Sequence, residues 1–286
     1  MAGTLYVVAT PIGNLEDVTF RAIRTLQSVD LIAAEDTRRT AKLLAHYRIQ
    51  KPVVSLREHN EVRVSGRLLD RLQAGESIAL VSDAGTPGIA DPGTRLVREA
   101  RARQLSVLPI PGPNAIAAAL SVSGFDADQF VFLGFPPPKG TARAEWLEGL
   151  TQETRTCVFF EAPHRIGRTL EDLKRLLVNR PMFVAREISK LNETYVIQPN
   201  NSNDDVLNEL GEFTVVVSQS HDELKSSHSR VLEAVAMFGY LTKSMPISEI
   251  DAEAMAARLM SVPQSTVRNA LRKARIASKR LAARLP

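Results

Sequence analysis

Short apolar runs at residues 5–9, 31–34, 52–56, 77–81 and 105–110 punctuate the first 120 residues. Between and after them lie segments with helical periodicity, at residues 18–26, 41–47, 64–72, 95–101 and 115–121. Runs that are apolar at successive positions suit strands buried on both faces, and a helix between each pair supplies a crossover. This β-α alternation constrains the fold more than any other feature and predicts a parallel sheet with helices on both sides.

A second α/β stretch follows. Residues 130–133, 157–160, 182–186, 194–197 and 213–217 read as strands, with helices near 144–150, 166–177 and 205–210. Residues 125–129 form the expected crossover between halves. Three prolines and a glycine, Pro136-Pro137-Pro138-Lys139-Gly140, predict a loop outside any sheet. The polar stretch 221–229 reads as a linker, and 247–259 and 264–275 as two helices resembling a helix-turn-helix. The expected architecture is two α/β domains, residues 1–120 and 121–222, then a basic helical domain at 223–286.

Composition narrows the class. The chain has 286 residues, 44% hydrophobic and 24% charged, the balance of a soluble globular protein. No apolar run approaches the ~20 residues that span a bilayer. The stretch up to Asn14 carries no basic region and meets Pro11 early, so a cytoplasmic protein without a secretory signal is expected. A single cysteine, Cys157, excludes a disulfide framework within the chain. No spacing of His, Cys and carboxylates suggests a metal site.

Ligands of open parallel sheets bind beyond the carboxyl ends of the strands, so function is read at those tips. They are Thr10-Pro11-Ile12-Gly13-Asn14, Glu35-Asp36-Thr37-Arg38, Arg57-Glu58-His59-Asn60-Glu61, residues 82–93 and Pro111-Gly112-Pro113-Asn114. In the fourth, glycines let the backbone approach a ligand and prolines fix one shape. Asp91-Pro92 reads there as an N-cap followed by proline at the first helical position. Gly88 and Gly93 have P-loop spacing, but Thr94-Arg95 follow where Lys-Ser/Thr is needed, and no Gly-x-Gly-x-x-Gly occurs. A rigid loop without lysine suits a cationic or zwitterionic ligand carrying an adenosine.

These segments, with Phe160-Glu161-Ala162-Pro163-His164-Arg165, occur together in an order and spacing that resemble the ribosomal RNA small-subunit methyltransferase I family, within the tetrapyrrole-methylase superfamily. The resemblance covers roughly residues 3–190. It implies a homodimer of two-domain chains that binds S-adenosylmethionine in the cleft between the domains. It implies methylation of the ribose 2′-hydroxyl of a cytidine near the decoding centre, on small-subunit rRNA or the assembled 30S subunit, with no membrane and no metal involved. The cofactor residues it implies are Pro11, Ser82, Asp83, Ala84, Gly85, Pro87, Gly88, Ile89, Asn114, Ala115, Phe160 and Glu187. Two departures stand out: residues 191–205 are Asn-rich and lack the expected glycine turn, and residues 264–286 are Arg-rich.

A ribose hydroxyl is a weak acid, so a base or an oriented acceptor assists its attack. Candidates at the tips are Asp36, Glu58, His59, Asp83 and Glu161, of which Asp36, His59 and Glu161 are expected to line the acceptor side. Asp36 could equally cap the helix that starts at Thr37, and Glu161 could pair with Arg165. Arg38, Arg39, Arg57, Arg63 and Arg165 lie at or just after tips, where an RNA backbone needs cations. The overall +4 is unevenly spread: residues 225–286 carry +7 and the remainder −3. Arg268, Arg272, Lys273, Arg275, Lys279 and Arg280 fall on an expected helix with no acidic residue among them, the footprint of a polyanion partner. The competing readings are methylation of a tetrapyrrole or corrin precursor and a non-enzymatic nucleic-acid-binding ligand sensor.

Overall fold

The computed structural model describes residues 2–177, 180–198, 210–220, 223–260 and 262–272, with the side chains of residues 198 and 223–232 excepted. It divides into two compact units, Met1–Ser220 and His221–Pro286.

The first unit holds two five-stranded sheets. The strands β1 (Thr4–Val8), β2 (Leu31–Ala34), β3 (Val53–Ser55), β4 (Ile78–Val81) and β5 (Ser106–Ile110) run parallel in the order β3-β2-β4-β1-β5. Alternate residues of the central strands feed two separate cores. Leu31, Ala33, Ile78 and Leu80 pack with Leu68, Leu69 and Leu72 of α3 (Glu61–Gln73) and with Leu96 and Ala100 of α4 (Thr94–Ala102). Ile32, Ala34, Ala79 and Val81 face the other way, onto Ala22 and Leu26 of α1 (Phe20–Ser28) and Leu44 of α2 (Thr37–His46). Both faces are therefore dry, as continuous apolar strands require.

The second sheet is mixed. Its strands β6 (Phe130–Phe132), β7 (Thr156–Glu161), β8 (Met182–Arg186), β9 (Thr194–Gln198) and β10 (Phe213–Val217) are ordered β6-β7-β10-β8-β9. Only β6 and β7 are parallel; the other three pairings are antiparallel. α6 (Gly140–Gln152) and α7 (Ile166–Leu176) supply Leu150, Ile166, Leu170 and Leu173 to one face. The opposite face is covered by Ile116, Ala119 and Leu120 of α5 (Ala115–Ser123), the helix that directly follows the last parallel strand. That helix joins the two sheets into one body. The expected helix at 205–210 lies outside the described residues save Leu210, which is not helical.

One buried cation bolts the far end of the second sheet. Arg180 is 5% exposed and meets no carboxylate among the described residues. Its guanidinium donates instead to the carbonyls of Leu150 at 3.1 Å, Glu153 at 2.8 Å, Arg155 at 3.2 Å and Ser218 at 2.8 and 3.0 Å. It thereby ties the end of α6 to the start of β7 and the end of β10. Lysine cannot reach this fan of acceptors with one ammonium.

In the second unit α8 (Glu223–Ser244), α9 (Glu249–Leu259) and a helix over residues 264–272 enclose Ala234, Phe238, Leu241, Ala252, Ala256 and Val267. The expected linker over 221–229 is corrected here: from Glu223 onward the polar stretch is already helical. Its residues extend a helix whose apolar positions come later, so a polar run alone did not mark a linker. α9 starts after Ser248, whose hydroxyl accepts from Asp251 N–H at 3.1 Å. No helix among the described residues is long and apolar enough to cross a membrane.

Replacing Arg180 by methionine should strand at least four carbonyls and lower the unfolding free energy by about 3 kcal/mol in urea titration, with Arg180→Lys recovering less than half.

Candidate active site

The tip of β1 meets the tip of β4 through a two-residue bridge. Thr10 N–H donates to Gly85 O and Gly85 N–H to Thr10 O, both at 2.9 Å. The Thr10 hydroxyl also donates to Ser82 O at 3.3 Å. Gly85 takes φ +73°, which folds the loop of residues 82–93 back over the sheet edge. The loop then passes through Gly88 (φ 81°), Ala90 (φ 63°) and Gly93 (φ 117°).

The expected role of Asp91 as an N-cap is corrected. α4 begins at Thr94, and its N-terminal cap is Gly93, in a left-handed conformation. The free amides of that turn are satisfied from another helix: one Glu61 carboxylate oxygen accepts from Gly93 N–H and Arg95 N–H, both at 3.1 Å. Asp91 is thus released from capping and faces a cavity.

That cavity, about 360 Å³, lies between the two sheets. The parallel sheet contributes Ile12, Ala84, Gly85, Ile89, Asp91, Asn114 and Ala115; the mixed sheet contributes Phe135, Phe160, Glu161, Glu212, Phe213 and Thr214. Among the described residues, every charged one lining it, Asp91, Glu161 and Glu212, is acidic. Asn114 holds its wall by capping α5, its Oδ1 accepting from Ile116 and Ala117 N–H at 2.9 and 3.1 Å.

The three carboxylates differ in their company. Glu161 is 2% exposed; Arg165 meets one oxygen at 2.5 Å and the Thr169 hydroxyl donates to the other at 2.6 Å. Glu212 pairs with Lys190 at 3.0 Å. Asp91 has no cation partner among the described residues, and burial, with Glu35 and Asp83 beside it, pushes its carboxyl up to about 6. Burial likewise raises Glu35, and the Asp83 charge adds to the effect.

The other tip residues serve scaffolding contacts. Asp36 caps α2, accepting from Arg38 N–H at 2.8 Å, and this bond, with Arg57 at 3.5 Å, holds its carboxyl below the usual range. His59 lies exposed in a single 3-10 turn, Glu58–Asn60, and lines no part of the cavity. Pro11, Ser82 and Asp83 line a smaller hollow of about 110 Å³ beside Arg39, which reaches Asp83 at 3.6 Å. Pro87 and Gly88 shape the loop without lining the larger cavity.

Glu187 is also outside that lining. Burial opposes its charge, but the Lys190 ammonium and Glu212 N–H, each at 2.8 Å, outweigh it and keep the carboxyl low. Glu187 (φ 55°) and Ser189 (φ 68°) are both left-handed, so this turn is strained and held from outside. Part of the hold comes from the first sheet: a Cβ on Gly13 would sit 2.7 Å from Ile188 O and 2.5 Å from Lys190 Cγ. The Ser189 hydroxyl also donates to Asp17.

Among the cations, Arg38 and Arg39 are exposed on α2, whereas Arg165 is occupied by Glu161. Arg268 pairs with Glu253 at 2.8 Å, and Arg272 is exposed. Lys273, Arg275, Lys279 and Arg280 lie outside the described residues. No group of three His, Cys, Asp or Glu among the described residues is arranged to hold a metal.

Sequence reasoning missed Phe135, Glu212, Phe213 and Thr214. Phe213 pairs with Glu161 on one side and Arg186 on the other. Because β10 is antiparallel to both neighbours, its beginning lies beside their carboxyl ends. A rule that searches only strand ends passes over it.

The family of Tetrapyrrole (Corrin/Porphyrin) Methylases matches residues 4–201. Among solved structures, uroporphyrin-III-C-methyltransferase from Thermus thermophilus superposes with TM-score 0.53 at 18% identity, covering 76% of this chain and 94% of that one. The methyltransferase CobJ superposes with TM-score 0.58 at 17% identity, over 77% and 95%. Two curated relatives are both named ribosomal RNA small subunit methyltransferase I. One, from Xylella fastidiosa, is 43% identical over 93% of this chain and 97% of its own length. The other, from Pseudomonas aeruginosa, is 42% identical over 91% and 94%. The chain belongs to the ribosomal RNA small subunit methyltransferase I family, a branch of the tetrapyrrole methylases.

Removing one member of the buried Glu161–Arg165 pair strands the other. Glu161→Ala should lower the unfolding free energy by about 3 kcal/mol, read by denaturant titration, and Glu161→Ala/Arg165→Ala should recover part of that loss.

Proposed function

We propose that this methyltransferase moves a methyl group from S-adenosylmethionine to the ribose 2′-hydroxyl of a cytidine near the decoding centre of small-subunit rRNA. One observation carries the cofactor reading: the cavity between the sheets has apolar and aromatic walls, and the charged residues that line it among the described residues are all acidic. Such a lining repels phosphate and favours a ligand whose net charge is positive. Phe135 and Phe160, with ring centroids 5.5 Å apart, offer a face for an adenine. The substrate reading is supported by the relatives' name, shared at 42% and 43% identity over nearly the whole chain.

The donor supplies a methyl already activated on a sulfonium, so the protein's work is alignment and exclusion of water. Ile12, Ile89 and Phe213 desolvate the reacting centre, while the bridged loop and Asn114 at the start of α5 fix where the ligand can lie. The exposed Arg38 and Arg39, on the helix after the second tip, meet the RNA backbone. A second set of cations in the helical unit also meets RNA, and the active form is a homodimer. The two α/β lobes, residues 1–120 and 121–222, carry the chemistry.

Calorimetry should show S-adenosylmethionine binding that ATP does not displace. Labelled donor incubated with small ribosomal subunits should place the label on a ribose oxygen of a cytidine. Label on a base, or transfer only to a tetrapyrrole precursor, defeats the proposal. In the full-length chain, alanine at Arg272, Lys273 and Arg275 should weaken subunit binding and reduce the log–log salt slope by about 2–3, leaving donor affinity unchanged.

A further inference from the structure

Two adjoining pieces of the cavity wall come from the parallel pair of the mixed sheet: Phe135, just after β6, and residues 160–163, at the end of β7. Phe135 belongs to a short panel with a defined beginning and end. Gly134 (φ 65°) and Gly140 (φ 77°) are both left-handed, and a Cβ on either would meet nothing among the described residues within 4 Å. Between them Pro136, Pro137 and Pro138 fix the backbone, so the segment is stiff inside and free to turn at its ends. α5 sets the spacing of the two sheets, which leaves this panel as a part of the wall that can yield.

In the structure the panel is seated. The Phe135 and Phe160 ring centroids are 5.5 Å apart, and Phe160 N–H donates to Gly134 O at 2.8 Å. Pro136 is buried. A further anchor is Arg143, which stands in the first turn of α6 and is 4% exposed. Its Nη1 donates to Pro137 O at 3.4 Å, and its Nη2 to the Thr169 hydroxyl at 3.2 Å and to Asp172 at 2.8 Å. Thr169 gives its own proton to a Glu161 oxygen at 2.6 Å. One guanidinium thereby joins the panel to the carboxylate at the end of β7.

Stability alone does not account for Arg143. Its Nε is buried without a partner among the described residues, and apolar side chains of similar size often serve stability as well as a buried ion pair does. Asp172 is not left unpaired without it, since Arg175 meets its other oxygen at 2.7 Å. What an apolar substitute would lose is the hold on Pro137 O and on Thr169.

Resting on the methyl-transfer reading, we propose that Arg143 is a positioning residue that latches the proline panel and so holds Phe135 over the bound methyl donor. Arg143 does not line the cavity; it works through Phe135 and, by way of Thr169, through Glu161. Its bond to Pro137 O is the longest of the three and the first to give. Releasing it lets the panel turn on its glycines, admitting the donor and letting the spent thioether leave. Closing it excludes water from the sulfonium.

The test measures S-adenosylmethionine binding to the full-length protein, by calorimetry and by stopped-flow dissociation. Arg143→Met should raise the donor Kd about tenfold through faster dissociation, and leave kcat on small ribosomal subunits within about threefold once the donor saturates. Phe135→Ala should weaken the donor by as much, and the double variant should be no worse than either single one, because both undo the same closure. Thr169→Val should raise the Kd about threefold, with Thr169→Ser restoring it. Should Arg143→Met not fold, Thr169→Val takes its place beside Phe135→Ala. Lost stability with an unaltered donor Kd makes the arginine structural only and overturns the proposal. Losses that multiply in the double variant overturn it too, since Arg143 then acts by a route other than Phe135. A wild type that binds no S-adenosylmethionine defeats the function proposed above and this latch with it. A wild type that binds it, beside an unimpaired Arg143→Met, defeats the latch alone.

Discussion

The site depends on the pair of backbone hydrogen bonds between Thr10 and Gly85. Without them the loop after β4 would follow its strand outward, as loops in parallel sheets ordinarily do. With them it is laid across the end of β1, and everything downstream inherits that direction. Ala84 and Gly85 become wall, Ile89 turns inward, and Asp91 reaches the cavity instead of the helix behind it. The fold-back needs a positive φ, which Gly85 takes without the strain that a side chain would add.

The other half of the cleft is fixed by a different device. α5 starts at the wall of the cavity with Asn114 and Ala115 and then packs its apolar side on the mixed sheet. One helix therefore sets both where the ligand meets the first sheet and how far away the second sheet stands. The close approach of Gly13 to Ile188 and Lys190 is a second contact between the two halves. Between these two contacts the cavity has little freedom to widen, which suits a reaction whose difficulty is alignment.

Periodicity revealed the first sheet almost completely. β2, β8 and β10 run over 31–34, 182–186 and 213–217, as their apolar runs predict, because buried strands leave a continuous signal. Helix starts were less legible where no cap announced them: Asp36 marked the start of α2 at Thr37, but α3 begins at Glu61, ahead of the apolar stripe. Strand direction was illegible, and with it the contribution of Glu212, Phe213 and Thr214, since nothing in a five-residue run says which way it is threaded. At the site, Ala84, Gly85, Ile89, Asn114, Ala115, Phe160 and Glu161 are brought together. His59 and Asp36 stand outside, and Glu187 serves a neighbouring turn. Asp91 was read from local sequence as a cap. The residue that does that work, Glu61, is thirty positions away, beyond the reach of any local rule.

The strand order has a consequence for how the chain is made. β1 lies between β4 and β5, so after leaving the ribosome it cannot be paired on either side until residues 78–81 and 106–110 have followed it. At about 5–20 residues per second, an apolar strand with two open edges waits for several seconds. Its earliest protection must come from elsewhere, and α1, already synthesised and apolar on one side, is the first element able to cover it. β1 is therefore exposed to wrong pairings well before the loop of residues 82–93 exists.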